Sequence, residues 1–300
     1  MKLGAFFPSY EIEDDPGAIR DFAQSVEAMG FNHIMFIDHI LGVSDTDYPD
    51  IQGPYRFFHP FHEVFATMAY LAGVTERIEF FTSVLVLPQR QTVMVAKQAA
   101  QVDWLSGGRL RLGVGVGWHA LEFDALNENF RNRGRRIEEQ IAVMRALWTE
   151  DLVDFDGEFH TIRKAGINPL PVQRPIPIWF GGEHPKVLDR LARIGDGWMP
   201  RKRLFGGGDQ NVPQDIEVAD IIGEMHQACA DVGRDPAEIG IEQMTRLNMS
   251  DKTEDWLDHG RELKANGGTH FSIHTLDAGL KTVAEHLAVM ERFKDAMANL

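Results

Sequence analysis

The chain has 300 residues, of which 44% are hydrophobic and 25% are charged. This balance is typical of a globular protein with a buried core, and it excludes fibrous and intrinsically disordered classes. Thirty Lys and Arg against 45 Asp and Glu give a formal net charge of −15. Nucleic acid and anionic membrane surfaces are therefore not expected partners, because both carry the same sign of charge as the protein.

Neither a disulfide nor a membrane span is expected. Cys229 is the single cysteine, which suits a reducing compartment and makes the cytoplasm the expected location. No apolar run approaches the ~20 residues of a membrane helix. The apolar stretch 3–7 ends at Pro8, which is too short for a secretory signal and is interpreted as the first strand.

Apolar runs of strand length alternate along the chain with amphipathic helical patterns. In the first helix Asp15 is a candidate N-cap, Pro16 opens the first turn and Gly30 follows the last one. Strands are predicted over 2–7, 33–38, 79–87, 109–116, 176–180, 197–200, 239–247 and 270–275. Helices are predicted over 16–29, 59–73, 91–105, 132–148, 185–194, 215–232, 253–265 and 278–297.

Eight such units predict a single α/β domain over residues 1–300, folded as a closed (β/α)8 TIM barrel and not as an open doubly wound sheet. Chemistry then belongs at the C-terminal ends of the strands. Loops 39–58 and 117–131 are long insertions at that face, and loop 201–214, with three consecutive glycines, is a candidate lid. The stretch 149–175 precedes strand five and is expected to be structural.

The segment 113–117, Gly-Val-Gly-Val-Gly, ends the fourth strand. Its missing side chains would let a backbone or a flat ligand approach the barrel mouth, or would ease crowding at the rim. A dinucleotide-binding fingerprint is disfavoured, because Trp118 and His119 follow directly and no acidic residue has the expected position on a second strand.

A second pair of glycines, Gly181 and Gly182, closes strand five just before a predicted helix start at Pro185. Amide N–H groups of such a turn and the positive end of a helix together form an anion site, commonly used for a ligand phosphate. A plain tight turn is the alternative.

Several histidines have positions that chemistry could use. His39 follows Asp38 at the end of strand two, where an imidazole can bind a ligand and move a proton, or can cap its own loop. His59 and His62 are three residues apart, but they lie at a helix start and no further ligand cluster is evident, so a metal site is disfavoured. His274 on strand eight is either a substrate contact or a buried, hydrogen-bonded side chain.

Two tryptophans complete the candidate pocket. Trp118 and Trp198 follow strand termini and could wall a planar cofactor or a substrate, although packing is the usual role of such side chains.

These segments together resemble the luciferase-like family of flavin- and deazaflavin-dependent barrel oxidoreductases, and most closely its F420-dependent branch. Each fragment alone is a weak signal, whereas their succession in the family's order is specific and spans nearly the whole chain. The matching segments are 38–39, 82–88, 105–109, 113–118, 122–123, 175–177, 181–182 and 195–198.

The resemblance implies that the cofactor's tricyclic ring lies across the mouth against a bulge on strand three, where a non-prolyl cis peptide would join Ser83 and Val84. It also implies a homodimer, which the apolar helices after strands two and three favour. The cofactor-binding residues that it implies are Asp38, His39, Ser83, Val84, Gly115, Gly117, Gly181 and Gly182, the last two near the phosphate.

One residue departs from the family pattern. The sugar-phosphate-oxidising members carry a glutamate where this chain has Trp118, so their substrate is not carried over. Glu122 is a candidate replacement for that acid, although the favoured interpretation is that it orders its own loop. Four arginines that follow could neutralise a ligand tail or simply be solvated: Arg131, Arg133, Arg135 and Arg136.

The leading hypothesis is therefore an F420-dependent oxidoreductase that passes a hydride between the deazaflavin C5 and a small organic substrate, with His39 as proton donor or acceptor. An imidazole can serve in either direction of transfer. Three alternatives stay open: an FMN-dependent monooxygenase of the same fold, a non-catalytic flavin-binding barrel, and a metal-dependent hydrolase centred on His59 and His62.

Overall fold

The structure is a computed structural model that describes residues 1–12, 15–51, 55–200 and 218–300. Its strands are β1 (Lys2–Phe6), β2 (His33–Phe36), β3 (Glu79–Thr82), β4 (Leu85–Val86), β5 (Leu110–Gly115), β6 (Val153–Asp156), β7 (Thr161–Ala165), β8 (Ile178–Gly181), β9 (Gly197–Met199), β10 (Gly240–Arg246) and β11 (His270–His274).

The helices are α1 (Pro16–Ala28), α2 (Val64–Ala72), α3 (Thr92–Ser106), α4 (Ala120–Ala125), α5 (Arg133–Thr149), α6 (Pro185–Ile194), α7 (Val218–Asp231), α8 (Thr253–Ala265) and α9 (Val283–Ala296). Helix α1 starts as its sequence predicts, because the Asp15 carboxylate accepts a hydrogen bond from Gly17 N (2.9 Å). Within the described ranges, none of these helices combines the length and the apolar character that crossing a membrane would require.

Parallel strand pairing runs in the order β3-β2-β1-β11-β10-β9-β8-β5, and β3 pairs with β5 to close the circle. Strand β4 continues β3 and also pairs with β5. The predicted (β/α)8 TIM barrel is therefore confirmed. The predicted third strand, 79–87, is two short strands, because the chain kinks at Ser83 and Val84 between them.

An antiparallel hairpin, β6 with β7, lies between α5 and β8 and is the main departure from the predicted elements. It occupies part of the stretch 149–175, which was predicted only as structural. The Glu139 carboxylate of α5 accepts hydrogen bonds from Glu158 N (2.7 Å) and Phe159 N (2.8 Å), which fixes the hairpin turn to the helix.

Inside the barrel, side chains of alternate strand positions form a cluster separate from the larger core between strands and helices. The buried interior cluster comprises Phe6, Met35, Phe81, Trp179, Met199, Met244 and Leu276. Tyr10, Ile37 and Val84 pack against it at the C-terminal ends of the strands and are only partly buried. The interior is thus filled below the mouth and accessible at it.

Beneath the apolar cluster, near the N-terminal ends of the strands, charged side chains form a buried network. Glu242 Oε2 lies 3.0 Å from His33 Nε2, and Arg111 Nε donates to Glu79 Oε2 (3.1 Å). Burial lowers the pKa of His270 to about 3. Burial alone would raise the pKa of Glu242, but the charge and hydrogen bond of His33 and the charge of Arg111 lower it to about 2.

We expect the free energy of unfolding to decrease as the pH falls from 7 towards 4. The unfolded chain protonates histidine near its ordinary pKa of 6.5, whereas folded His270 stays neutral until about pH 3. Its contribution is therefore complete above pH 6.5 and is lost below it, at about 1.4 kcal/mol per pH unit for each such histidine. The contribution of Glu242 to the free energy of unfolding is also lost as the pH falls, below its ordinary pKa of 4.5.

Urea unfolding at several pH values, followed by tryptophan fluorescence, measures this slope. His270→Gln, which removes one titrating ring, should flatten the profile between pH 6.5 and 4.5. A wild-type stability that does not change over that interval would contradict the assignment.

Candidate active site at the barrel mouth

The floor of the mouth is formed where the chain kinks between β3 and β4. The peptide bond between Ser83 and Val84 is cis, as the family resemblance implied. Ser83 N donates to Phe36 O (2.6 Å), and Thr82 Oγ1 donates to Gly113 O (2.7 Å). Both neighbouring strands, β2 and β5, therefore fix the chain at the kink.

Val84 fits there because two glycines leave space for it. A Cβ on Gly115 would lie 2.5 Å from Val84 Cγ2, and a Cβ on Gly181 would lie 2.7 Å from Val84 Cγ1. Both distances are shorter than real carbon contacts allow. Gly117 has a φ of +74° and faces Val86 in the same way. The sequence allowed two interpretations of the glycines at 113–117, close approach of a ligand or relief of crowding at the rim. The structure favours the second, because these glycines leave space for protein side chains.

Asp38, a predicted cofactor ligand, is instead a buried anchor of the kink. Its Oδ1 accepts from Arg90 Nη2 (2.7 Å), and its Oδ2 accepts from Val86 N (3.0 Å). Its side chain is 1% exposed. Both carboxylate oxygens are thus engaged by the protein, and Asp38 acts on the mouth by holding β4 and Arg90 in place.

His39 lies beside this anchor, with its side chain 9% exposed. Its Nδ1 is 3.2 Å from Oε1 of Glu122, which also accepts from Ile40 N (2.8 Å) and Leu41 N (3.2 Å). Burial alone would raise the pKa of Glu122, but these hydrogen bonds and the charge of His39 lower it. Glu122, on α4 in the loop after β5, was expected to order its own loop. It joins that loop to the loop after β2.

Aromatic rings surround His39 on the outer side. The Tyr55 ring lies 4.1 Å from that of His39 and 5.1 Å from that of Trp118, and Phe61 lies 5.5 Å from His39. Trp118 is 47% exposed, so it presents a free face. Its predicted role as a wall of the substrate pocket stays a prediction. Tyr55 and Phe61 were not predicted, because no local pattern marks them.

Trp198 does not line the mouth, contrary to the prediction. It is fully buried in the core between strands and helices, and its indole N–H donates to Gly182 O (2.8 Å). The alternation along β9 explains this. A Cβ on Gly197 would meet the Trp179 ring inside the barrel, so the next residue, Trp198, points outward.

The Gly181–Gly182 turn offers space to a ligand but little free hydrogen-bonding capacity. Gly182 has a φ of +104°, and among the described residues beyond its two chain neighbours no atom lies within 4 Å of the position of its absent Cβ. Its N–H, however, donates to Met199 O (3.0 Å), and Lys186 N at the start of α6 donates to His184 Nδ1 (3.2 Å). A phosphate site at this turn stays a prediction. These two N–H groups would not bind the phosphate, because both already donate to protein acceptors.

His274 projects into the upper barrel interior, where its ring lies 4.3 Å from that of Phe6. It is 7% exposed, and burial lowers its pKa to about 3. It is therefore neutral near pH 7. Of the two interpretations that the sequence allowed for His274, the structure favours the buried side chain. The ring lies just below the barrel mouth.

The remaining sequence candidates have structural partners. Arg133 donates to Gly117 O (3.2 Å) and stacks on a phenylalanine ring, while His59 Nδ1 accepts from Arg56 N (3.4 Å). In the ranges that the structure describes, no three His, Cys, Asp or Glu side chains come together as metal ligands would. The candidate lid, 201–214, lies outside the described residues.

Residues 1–269 match the model of a protein family described as luciferase-like monooxygenases. The chain belongs to this family. The assignment agrees with the resemblance carried by the sequence motifs, and the match covers β1 to β10 and ends one residue before β11.

Curated relatives of the chain differ in the activities that their names give. An uncharacterised protein of Mycobacterium tuberculosis is 40% identical over 192 residues, 62% of this chain and 64% of that protein. An F420-dependent glucose-6-phosphate dehydrogenase of Kineococcus radiotolerans is 30% identical over 61% of this chain and 52% of its own. A pyrimidine monooxygenase of Allorhizobium ampelinum is 28% identical over 77% of this chain and 58% of its own. The chain thus spans less than two thirds of the length of each.

Solved structures of the luciferase-like type share the barrel. An F420-dependent secondary alcohol dehydrogenase, solved with an F420–acetone adduct, has a TM-score of 0.73 at 18% identity, covering 99% of this chain and 98% of its own. A monooxygenase of Streptomyces bottropensis has a TM-score of 0.72 at 19% identity, covering 100% and 99%. At these identities the likeness establishes the fold alone.

The packing of Val84 leads to a stability prediction. Gly115→Ala should destabilise the protein by about 1–3 kcal/mol, because its methyl group would overlap the stiff, β-branched Val84 side chain. Adding Val84→Ala to that variant should recover part of the loss. Urea unfolding of the single and double variants measures both effects.

Gly223→Ala is the matched control, because Gly223 lies in α7 and, outside its own helix backbone, no described residue comes within 4 Å of the added methyl group. It should be neutral or stabilise by up to about 1 kcal/mol. A Gly115→Ala protein as stable as wild type would contradict the proposed packing, and so would the absence of recovery on adding Val84→Ala.

Proposed function

We propose that the chain is a single-domain F420-dependent oxidoreductase that passes a hydride between the deazaflavin C5 and a small organic substrate. The observation that carries this proposal is a kinked, partly exposed floor at the barrel mouth with His39 beside it. The F420-dependent relative at 30% identity supports the choice of deazaflavin. When bound, F420 would supply the hydride chemistry itself.

The residues present fit a flat ring at this position. Ser83 and Val84 are only half-buried, and in the described part of the chain no neighbouring group fills the space at Gly182. In our proposal Ser83 and Val84 support the ring and the Gly181–Gly182 turn accommodates the cofactor's tail. Asp38, Gly115 and Gly117, which were expected to line the cofactor, would contribute by holding this floor in shape.

His39 is the proposed proton donor or acceptor, and its surroundings suggest the class of substrate. Tyr55, Phe61 and Trp118 give the outer wall an aromatic character. Trp118 replaces the acid that sugar-phosphate-oxidising members use. A small, largely apolar alcohol or carbonyl compound suits such a wall better than a sugar phosphate, because aromatic faces favour apolar groups.

A cofactor titration of the purified protein tests the proposal directly. We expect F420 to bind at least about tenfold more tightly than FMN, a difference of about 1.4 kcal/mol. His39→Ala should keep the affinity for F420 within about twofold, yet lower turnover of F420 with small secondary alcohols, or of reduced F420 with enones, by roughly 10²–10⁴-fold. Fluorescence of the deazaflavin reports binding and its absorbance reports turnover.

A different result would favour an alternative. Tight binding of FMN without affinity for F420 would favour a reduced-FMN monooxygenase, which the pyrimidine monooxygenase relative supports. If the wild type binds a flavin or deazaflavin but turns over none of the tested substrates, and His39→Ala changes nothing, a non-catalytic binding barrel is the better explanation.

We also propose a homodimer built on α2 and α3. These neighbouring helices expose apolar side chains that a monomer would leave in water: Tyr70, Val93, Met94, Trp104 and Leu105, each at least 41% exposed. Large exposed apolar surfaces commonly mark interfaces.

Light scattering at micromolar concentration should therefore give the mass of a dimer. Trp104→Glu should shift the protein towards monomer, because a carboxylate would be desolvated at the interface. A monomeric wild type would contradict the proposed dimer without affecting the proposed chemistry.

A further inference from the structure

The carboxylate of Glu122 accepts more hydrogen bonds at the barrel mouth than a simple contact between two loops requires. Its side chain is 1% exposed, and Oε1 is the acceptor for His39 Nδ1 and for the backbone N–H groups of Ile40 and Leu41. The pKa of Glu122 is lowered by these contacts despite the opposing effect of burial, so the group is ionised near pH 7. An ionised carboxylate can only accept hydrogen bonds.

The ionised state of Glu122 decides which nitrogen of His39 carries the proton. Since Oε1 cannot donate, Nδ1 of His39 must hold the hydrogen that joins them. A neutral imidazole with Nδ1–H keeps its lone pair on Nε2. Among the residues that the structure describes, Nε2 of His39 has no hydrogen-bond partner.

A second Glu–His pair in this protein is built in the same way, except that Nε2, the outer nitrogen of its histidine, already has a hydrogen-bond partner. Glu139 accepts from His160 Nδ1 (2.7 Å) and from two consecutive backbone N–H groups at the β6–β7 turn. There, however, His160 Nε2 is bonded to Thr92 Oγ1 (2.6 Å). Both nitrogens of His160 are thus engaged, as a structural histidine requires. The corresponding nitrogen of His39 has no such partner in the part of the chain that the structure describes.

We propose that Glu122 is a positioning residue that fixes His39 as the Nδ1–H tautomer and thereby makes Nε2 the atom that exchanges a proton with the substrate. In the oxidative direction Nε2 takes the proton of the substrate hydroxyl while the hydride leaves the adjacent carbon for F420, and a carbonyl group forms. In the reductive direction protonated Nε2 returns that proton to the oxygen. This inference rests on the proposed function of His39.

The test compares Glu122→Ala with Glu139→Ala as a matched control. Each variant removes the oxygen that accepts from Nδ1 of the paired histidine, whereas Gln at position 122 could keep an acceptor at the Oε1 position, which takes all three hydrogen bonds. Selective ¹⁵N-histidine NMR of the protein without cofactor distinguishes protonated from unprotonated ring nitrogens, and a His39→Asn sample assigns the signals.

We expect wild-type His39 to show a protonated Nδ1 and an unprotonated Nε2 above the pH at which the ring becomes neutral. In Glu122→Ala, Nδ1 loses its acceptor, so a protonated Nε2 should appear, and kcat with F420 and a small alcohol should fall by roughly 10²–10⁴-fold with KM changed less than about threefold. In Glu139→Ala the pattern of His39 and both kinetic constants should be unchanged.

Three results would overturn the inference. One is an Nε2–H tautomer of His39 in the wild type, which can be measured even where Glu122→Ala does not fold. The others are an unchanged tautomer in Glu122→Ala and unchanged kcat. Failure of the proposed function gives a different signature, because F420 would then not bind or not turn over, or His39→Ala would retain turnover, whatever the tautomer of His39 in the wild type.

Discussion

The kink between β3 and β4 is the constraint on which the mouth of this barrel depends. A straight third strand would continue the barrel wall, whereas here Val84 turns into the space beside Gly115 and Gly181. The kink is held by hydrogen bonds to β2 and β5 on both sides and by Asp38 at Val86 N. Because interiors are packed to high density, a side chain seated between two glycines has little room to move. A flat ligand therefore meets a fixed surface.

Two buried carboxylates then fix the backbone around His39. Asp38, which precedes it, is tied to Arg90 and β4, and Glu122 binds the N–H groups of the two residues that follow. Each carboxylate combines a cationic or imidazole partner with backbone amides, which satisfies a buried charge and orders a loop at once. The imidazole is consequently positioned from both sides of the chain. A reacting group needs this, since an error of about 1 Å can cost roughly a hundredfold in rate.

The features of the fold and of the site that could be predicted from the sequence are those that local sequence patterns specify. Apolar periodicity located the eight strand positions, and the motif succession located the kink. The β6–β7 hairpin was missed, although Asp156-Gly157 between alternating residues is a known turn signal. Trp198 was misplaced because a shift of one residue along β9 decides between barrel interior and core. The pairing of Glu122 with His39 spans 83 positions, and no local pattern specifies such a contact.

The distribution of charge inside the barrel explains why His39, among the histidines near the mouth, suits proton transfer. His274 stacks on Phe6 and its pKa is lowered to about 3 by burial, and burial also lowers the pKa of His119. Neither ring readily carries a proton near pH 7. His39 donates to an ionised carboxylate, and its outer nitrogen is not closed by a neighbour in the described chain. A group that must alternate between two protonation states needs both properties.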